Sequence, residues 1–549
     1  MNIKNKINED TYNFHINEGI KYSNKRNFNK AKVCFADALN IDPSNYRAYI
    51  NLANIFILEQ SIESAVNILF KHIEKYNPND KIVNHLAKIC LNYNLPKKLK
   101  KLFQIINISK KKNIIQYAYI YNIQGQYYEI ERNFVKAKNA YLNSLRCDQY
   151  FFDSYIKLFD ILEKTNDLKE FIKYLRLAND IFSDKNHVGI LILYKSIYLN
   201  RIKNYKESQK NIIKNKSKLS LNNKYFFLKL LDIEAKNYEN LKNYNKAFKK
   251  TEERNNILIN TEENKKYNKE NINKTIEIYK KFFVRKNIKY INNKLNYQND
   301  KNLVFLVGFP RSGTTLLDTI LRTHSKVKVL EEKPILLELR HNFFKQNNDK
   351  IKALLLMQQE QKDKIRDEYF KQILVNKDYK KQIIIDKLPL SIIEIGFIKC
   401  IFPNAKIILA MRHPCDVVIS CFFSYFKINE AMINFLNWKD TLDFYNKVLD
   451  LFEFYEKEAD LNMHIVKYED VVLNFNSKIR ELLEFLNVDY EKNLEKFYIT
   501  ARNRKDISTP SYSQIINPLY KTSINRWKNY IDVKNPELAL KRWIKKYDY

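Results

Sequence analysis

The spacing of apolar side chains changes along the chain, and the change separates two halves with different predicted structures. From about residue 12 to residue 260, Tyr, Phe, Leu and Ile recur at helical spacing, with very few Gly or Pro between them. Beyond this half, short β-branched runs alternate with helical patterns; the runs are NLVFLV (302–307), QIIID (382–386), AKIILAM (405–411) and MHIVKY (463–468). The first pattern predicts successive helices, and the second predicts an α/β domain with a buried parallel sheet.

Small residues mark a repeat in the helical half. Gly19, Ala31 and Ala38 are separated by 12 and 7 residues, and a shift of 34 residues carries the first two onto Ala53 and Ala65. The 12-residue step recurs at 125–137, 196–208 and 235–247. These spacings resemble tetratricopeptide repeats, in which paired helices cross closely where small side chains allow it. The resemblance implies a solenoid that binds peptide or protein; the alternative is an unspecialised helical domain whose alanines only pack a core.

The stretch between the two halves is strongly polar and loses the repeat. It contains one helical pattern, INKTIEIYKKFFVRK, which we expect to bridge the halves. The predicted domains are therefore an all-α tetratricopeptide-like solenoid over 1–261, a helical linker over 262–301 and an α/β domain over 302–549.

Composition narrows the function classes. The formal net charge is +34, but the basic residues are spread along a Lys- and Asn-rich chain, so we expect a solvated basic surface and no nucleic-acid partner. No apolar signal core or run of about 18 apolar residues is present, so we expect no membrane span. Six cysteines without a CxxC pair indicate reduced, mostly buried thiols, and the cytoplasm is the expected location.

One loop in the α/β half has the spacing of a phosphate-binding loop. In GFPRSGTT (308–315), Gly308 ends a predicted strand, Gly313 lies five residues later, and a helical pattern follows. Backbone N–H groups in such a loop and the positive end of the helix stabilise an anion. A nucleotide-hydrolysing loop needs a lysine where this chain has Thr314, so a P-loop kinase or NTPase is only the alternative.

Two segments resemble a known family. GFPRSGTT resembles the 5′-phosphosulfate loop of sulfotransferases that use 3′-phosphoadenosine-5′-phosphosulfate (PAPS). AMRHPCDVVISCFFSYF is similar to the family's 3′-phosphate motif, which places Arg412 and Ser420 on that phosphate. The similarity extends over about 302–530 and implies a P-loop-like α/β sulfotransferase domain. Independently, Arg412 closes an apolar strand and offers a bidentate donor to an anion.

The same resemblance implies catalytic roles. Glu332 falls on the family's catalytic base, Lys387 on its catalytic lysine, and Arg311 in the loop shares the charge of the leaving oxygen. Glu331 is the alternative base. The predicted cofactor-binding residues are Gly308, Pro310, Arg311, Ser312, Gly313, Thr314, Thr315, Arg412, Ser420, Tyr468, Ser511 and Arg526. PAPS is the expected sulfuryl donor, and no metal is expected.

The acceptor is less defined by sequence than the donor. Glu332 and Lys387 match the tyrosylprotein sulfotransferases, so tyrosine of a protein or peptide, docked by the repeats, is the first prediction. Those enzymes have an arginine where this chain has Pro334. A carbohydrate or small-molecule hydroxyl therefore stays open, as does a non-catalytic repeat scaffold. A homodimer is among the expected assemblies.

Overall fold

The structure is a computed structural model that describes residues 2–76, 80–108, 114–219, 223–284, 287, 302–345, 349–373, 383–503, 515–519 and 521–549. These residues divide into two compact units, one ending at His187 and the other beginning at Val188. No helix within the described ranges combines the length and apolar character needed to cross a lipid bilayer. All six cysteines are free thiols in the structure, and four of them are buried.

The first half of the chain consists of antiparallel helix pairs, as the helical spacing predicts. The helices are α1 (Asn2–Asn24), α2 (Phe28–Ile41), α3 (Tyr46–Leu58), α4 (Ile62–Lys75), α5 (Asp80–Asn92), α6 (Pro96–Ile108), α7 (Ile114–Ile130), α8 (Phe134–Cys147), α9 (Phe152–Lys164), α10 (Leu168–Ile181), α11 (Lys185–Arg201), α12 (Tyr205–Lys214), α13 (Lys224–Asn240) and α14 (Tyr244–Ile259). The first ten belong to the first unit, and the last three belong to the second.

The turn inside each helix pair has the same backbone conformation. Its left-handed residue is Arg26, Gln60, Asn94, Arg132, Asn166, Lys203 or Lys242. The first three of these positions are 34 residues apart. In most pairs the next residue is an Asn or Asp whose side chain caps the second helix, as Asn27 does by accepting from the N–H of Lys30. The described helices therefore confirm the tetratricopeptide-like repeat.

The small residues lie where the paired helices cross. Ala31 and Ala65 have no exposed surface, and a Cβ added to Gly19 would collide with the ring of Phe35. Gly125 has the same relationship to Tyr141 in a later pair. These contacts give the 12-residue step its physical cause.

The second unit contains a five-stranded parallel sheet. Its strands are β1 (Leu303–Gly308), β2 (Val327–Glu331), β3 (Ile383–Lys387), β4 (Lys406–Met411) and β5 (Met463–Lys467), in the spatial order β2-β3-β1-β4-β5. Four of these strands correspond to predicted β-branched runs. The edge strand β2 has no counterpart among them, because the partly exposed Lys328 separates its two buried valines.

Side chains of the central strand alternate between the two faces of the sheet. Leu303, Phe305 and Val307 enter one hydrophobic core, whereas Val304 and Leu306 enter the other. Helices cover both faces, as a fully buried parallel sheet requires. The helices of this unit after α14 are α15 (Glu262–Lys265), α16 (Glu270–Phe282), α17 (Thr314–Arg322), α18 (Ile335–Lys345), α19 (Lys350–Leu355), α20 (Gln359–Ile373), α21 (Ile395–Ile401), α22 (Pro414–Phe423), α23 (Trp438–Glu458), α24 (Tyr468–Leu473), α25 (Phe475–Leu486), α26 (Phe497–Asn503) and α27 (Glu537–Lys546).

The compact units divide the chain at a different place from the predicted boundaries after residues 261 and 301. The reason is that α14 and α16 pack directly against the helices of the sheet. Phe248 of α14 stacks on Phe422 of α22 with ring centroids 4.8 Å apart. The hydroxyl of Tyr279 in α16 donates to Glu394 at 2.5 Å. The last repeat helices therefore share a core with the α/β part of the chain.

Candidate active site

The predicted site residues converge on one edge of the sheet. All five strands are parallel, so their carboxyl ends meet at the same edge, where α/β proteins bind ligands. From one side of this edge to the other lie Glu332, Lys387, the 308–315 loop, Arg412 and Tyr468, each at or just after the end of its strand.

The glycine-rich loop leads directly from β1 into α17. Gly313 has φ +98° and forms the N-cap of the helix, and a Cβ at this position would lie 3.0 Å from the ring of Tyr468. Gly308 lies so close to the carbonyl of Ala410 on β4 that no side chain fits there. Both glycines are therefore required by the backbone path. The path aims the first N–H groups of α17 into the turn, and Thr314 and Thr315 begin that helix.

Arg311 connects the loop to the next predicted phosphate motif. Its Nε donates to Oγ of Ser420 at 3.0 Å, and its own backbone has a left-handed φ of +72°. Ser420 lies on α22, which follows β4. The two predicted anion sites, 109 residues apart in sequence, are therefore joined by a direct hydrogen bond.

Arg412 is buried beside the same loop. It donates from Nη2 to the carbonyl of Ser523 at 2.5 Å and from Nη1 to the carbonyl of Arg311 at 3.4 Å. Its guanidinium lies 5.0 Å from the ring centre of Tyr468 and 3.5 Å from a carboxylate oxygen of Asp416. Its Nε is buried and has no hydrogen-bond partner among the described residues, so the arginine retains a donor for a further acceptor.

Lys387 is enclosed by carboxylates on the other side of the loop. Its Nζ lies 2.8 Å from Glu332, 3.5 Å from Glu331 and 3.6 Å from Asp318, and its side chain has no exposed surface. Burial alone lowers the pKa of Lys387, but the carboxylates of Asp318, Glu332 and Glu331 outweigh it and raise the pKa above its usual value. The lysine is therefore held as a cation.

Glu332 is the more exposed of the two candidate bases. Its side chain is 30% exposed, against 9% for that of Glu331. The backbone of Glu332 has φ +47°, and its N–H donates to the carbonyl of Lys387 at 2.8 Å. A left-handed conformation at a glutamate costs about 1 kcal/mol or more, and such strain is concentrated at functional sites.

Two predicted cofactor-binding residues, Ser511 and Arg526, lie outside the group of strand-end residues described above. Ser511 lies outside the described residues. Arg526 is described, and its Nε donates to Glu239 of α13 at 2.5 Å while its guanidinium lies over the ring of Phe423. Its contact with a nucleotide stays a prediction.

Several residues near the site are not predicted by the sequence. Asp318 in α17 approaches Lys387, and Asp416 in α22 accepts from the backbone N–H groups of Asn525 and Trp527 at 2.9 and 2.8 Å. Glu239 belongs to a repeat helix. No local pattern distinguishes these carboxylates from the many other acidic residues, because each is defined by a partner far away in sequence.

Comparison with known proteins agrees with this geometry. Residues 304–492 match the model of the sulfotransferase family, and they include the glycine-rich loop, Glu332, Lys387 and Arg412. This part of the chain is a sulfotransferase-family domain, and it follows tetratricopeptide-like helix pairs.

Individual relatives are distant. An uncharacterized protein of Aquifex aeolicus is 26% identical over 249 residues, which cover 44% of this chain and 32% of that protein. Protein-tyrosine sulfotransferase 1 of Danio rerio is 26% identical over 242 residues, which cover 42% of this chain and 67% of that protein. The chain thus spans about a third of the length of the Aquifex relative. Among solved structures, the sulfotransferase domain of the Synechococcus olefin synthase is 19% identical, covers 47% of this chain and 98% of that domain, and has a TM-score of 0.33.

Proposed function

We propose that this chain transfers the sulfuryl group of PAPS to an acceptor hydroxyl, and that tyrosine of a protein or peptide is the acceptor. The observation that carries the proposal is the 2.8 Å ion pair between Lys387 and Glu332, at the end of β3 and just after β2, with β3 directly next to the strand that leads into the glycine-rich loop. A buried cation and a partly exposed carboxylate in contact supply the two charges that transfer between oxygens requires.

The donor is proposed from two anion sites that lie side by side. The loop of Gly308 and Gly313, with the N-terminus of α17, suits the 5′-phosphosulfate, and Arg412 with Ser420 suits the 3′-phosphate. The hydrogen bond from Arg311 to Ser420 joins residues of the two proposed sites, which supports a ligand with anions at both ends of an adenosine. The Nε of Arg412 supports the proposed binding of the 3′-phosphate, because it is a buried donor without a hydrogen-bond partner among the described residues.

The proposed reaction is an in-line displacement at sulfur. The acceptor oxygen forms the new S–O bond while the bond between sulfur and the 5′-phosphate oxygen breaks, leaving adenosine 3′,5′-bisphosphate (PAP). Glu332 takes the proton of the acceptor hydroxyl. Lys387 and Arg311 compensate the negative charge that develops on the leaving oxygen. No metal takes part in these steps, because the charge on the leaving oxygen is met by side-chain cations.

Two observations support tyrosine as the acceptor: the name of one relative, and the identity of two candidate catalytic residues. The Danio rerio relative carries the name protein-tyrosine sulfotransferase, and Glu332 and Lys387 fall on the catalytic residues that the sequence resemblance implies. Pro334 stands at the position where tyrosylprotein enzymes have an arginine, so a second candidate acceptor, a carbohydrate or small-molecule hydroxyl, stays open.

The partner proposals rest on the helix pairs. Stacked helix pairs of this type bind extended polypeptides, so we expect them to dock the protein acceptor. The free thiols suit a reducing compartment such as the cytoplasm. A homodimer is also proposed, and sedimentation of the purified chain tests it.

The function is tested with purified chain, PAPS labelled with ³⁵S, and separate pools of tyrosine peptides and glycans. We expect label on tyrosine and release of PAP. If only glycans or small alcohols gain label, the tyrosine proposal is wrong and the sulfotransferase proposal stands. If PAPS is not consumed with any acceptor class, the activity itself is wrong.

A further inference from the structure

We infer that Glu239, on the last repeat helix pair, is a positioning residue that orients Arg526 so that its terminal amino groups bind the 3′-phosphate of the nucleotide. The inference rests on the proposed function, since it assigns a role in binding the proposed donor. It makes the last repeat pair, α13 and α14, a part of the nucleotide site.

Glu239 holds Arg526 by one side of the guanidinium only. Its Oε1 accepts from Nε of Arg526 at 2.5 Å and from the hydroxyl of Tyr530 at 3.0 Å. The contact of Arg526 with Glu239 is made by Nε, and the hydroxyl of Tyr530 lies beside both side chains. A carboxylate bound at Nε fixes the plane of the guanidinium and leaves the two terminal amino groups for an anion, to which they are well shaped to donate.

Arg526 lies along the helix face that carries the predicted 3′-phosphate residue. Asp416, Ser420 and Phe423 are spaced by four and three residues on α22 and therefore share one face. Asp416 binds the backbone on both sides of Arg526, through the N–H groups of Asn525 and Trp527. The guanidinium of Arg526 lies 5.0 Å from the ring centre of Phe423. Arg526 is thus fixed beside the same face as Ser420.

The second helix of the repeat pair holds the carboxyl end of α22. Nη2 of Arg254 donates to the carbonyl of Phe423 at 3.2 Å, and Nδ2 of Asn255 donates to that of Phe422 at 3.1 Å. Both side chains are buried, and Arg254 is also paired with Asp232 at 2.5 Å. A cation and an amide that satisfy the last carbonyls of a helix stabilise its end. The helix carrying Ser420 and the arginine beside it are therefore both fixed by α13 and α14.

The test compares two nucleotides that differ in the 3′-phosphate. Glu239→Gln is made in the full chain, and the affinities for PAP and for AMP are measured by titration calorimetry. We expect the Kd for PAP to rise about tenfold or more, since hydrogen bonds to charged groups have that magnitude, while the Kd for AMP stays unchanged. The KM for PAPS should rise by the same factor with little change in kcat.

Matched variants distinguish a specific effect of Glu239 on Arg526 from a general destabilisation of α13. Glu234→Gln removes the same charge from the same helix, where Glu234 is paired with Lys250 at 3.3 Å, and we expect wild-type affinity for both nucleotides. Arg526→Gln should show the same selective loss for PAP as Glu239→Gln. The double variant should lose no more than either single variant, since both act through one contact. Glu239→Asp should lose PAP affinity less than Glu239→Gln, and it repeats the test if the glutamine variant does not fold.

The outcomes are distinct. Wild-type or tighter PAP binding by Glu239→Gln, or equal losses for PAP and AMP, overturns the inference and leaves the proposed function standing. A wild-type chain that binds neither nucleotide overturns both.

Discussion

Asp318 Oδ2 lies 3.6 Å from Nζ of Lys387, and neither side chain has any exposed surface. Asp318 belongs to α17, the helix that begins at the glycine-rich loop, so the candidate catalytic lysine contacts the helix of the candidate anion site. In the proposed reaction Glu332 accepts the proton of the acceptor hydroxyl and loses its charge, and Asp318 would then still compensate the charge of Lys387.

Replacement of Lys387 separates catalysis from binding. Lys387→Ala should lower kcat by about 100-fold or more, because a cation directed at the leaving oxygen contributes on that scale. The Kd for PAP should change little, because the phosphates are proposed to bind to the loop and to Arg412. Steady-state kinetics and calorimetry measure the two quantities. An equal loss in both would make the lysine a donor anchor and not a catalytic residue.

The two adjacent glutamates form a matched pair. Glu332→Gln should lower kcat by about 100-fold or more, as removal of a general base does. Glu331→Gln should have a much smaller effect, because the Glu331 side chain is more deeply buried and lies 3.5 Å from Lys387. Full activity in Glu332→Gln together with an inactive Glu331→Gln would exchange the two roles.

The backbone at Gly313 is a sensitive point of the loop. Gly313→Ala should weaken PAP binding by about tenfold or more, because a φ of +98° is strained for any residue with a Cβ and the new methyl group would press on Tyr468. Calorimetry measures the affinity, and Thr319→Ser, a small change further along α17 that keeps the hydrogen bond to the carbonyl of Thr315, serves as the control. Undiminished binding in Gly313→Ala would show that the loop does not hold the phosphate.

Asp386, next to the candidate catalytic lysine, should make stability depend on pH. Burial raises its pKa from 3.8 to about 6, and the hydroxyl of Tyr369 donates to it at 2.6 Å. Between these pKa values the unfolded chain has released a proton that the folded chain keeps. The free energy of unfolding should therefore fall by about 3 kcal/mol as pH rises from about 4 to about 6.

Asp386→Asn should remove this part of the pH dependence, since an amide oxygen still accepts from Tyr369. All three tryptophans, Trp438, Trp527 and Trp543, lie in the second unit, so their fluorescence in urea reports its unfolding. Parallel pH dependence in the wild type and the variant would contradict the assignment to Asp386.

The helices and strands were predictable because they follow from local sequence patterns. Contacts between residues far apart in the sequence were not predictable. The 34-residue spacing and the buried β-branched runs each arise from neighbouring residues, so the helix pairs and four strands follow from sequence. The sequence pattern does not predict β2, because the charged Lys328 separates its two valines. Lys387 and Arg412 were recognisable because each stands at the end of an apolar run.

The packing of the last repeat pair on the sulfotransferase part was not predictable. Glu239 and Arg254 look like ordinary charged residues of an amphipathic helix. Only their partners, 287 residues away at Arg526 and 169 residues away at Phe423, distinguish them.

The left-handed turns between the paired helices have a practical consequence. The chain contains only six glycines, and the turns instead use arginine, glutamine, lysine and asparagine in a conformation that costs most side chains about 1 kcal/mol or more. Relief of this backbone strain at any one turn should therefore raise the free energy of unfolding. Glycine can be introduced at single turns or in combination, to obtain a more stable protein for crystallisation. The positions are Arg26, Gln60, Arg132, Lys203 and Lys242, which are far in sequence from the candidate active-site residues.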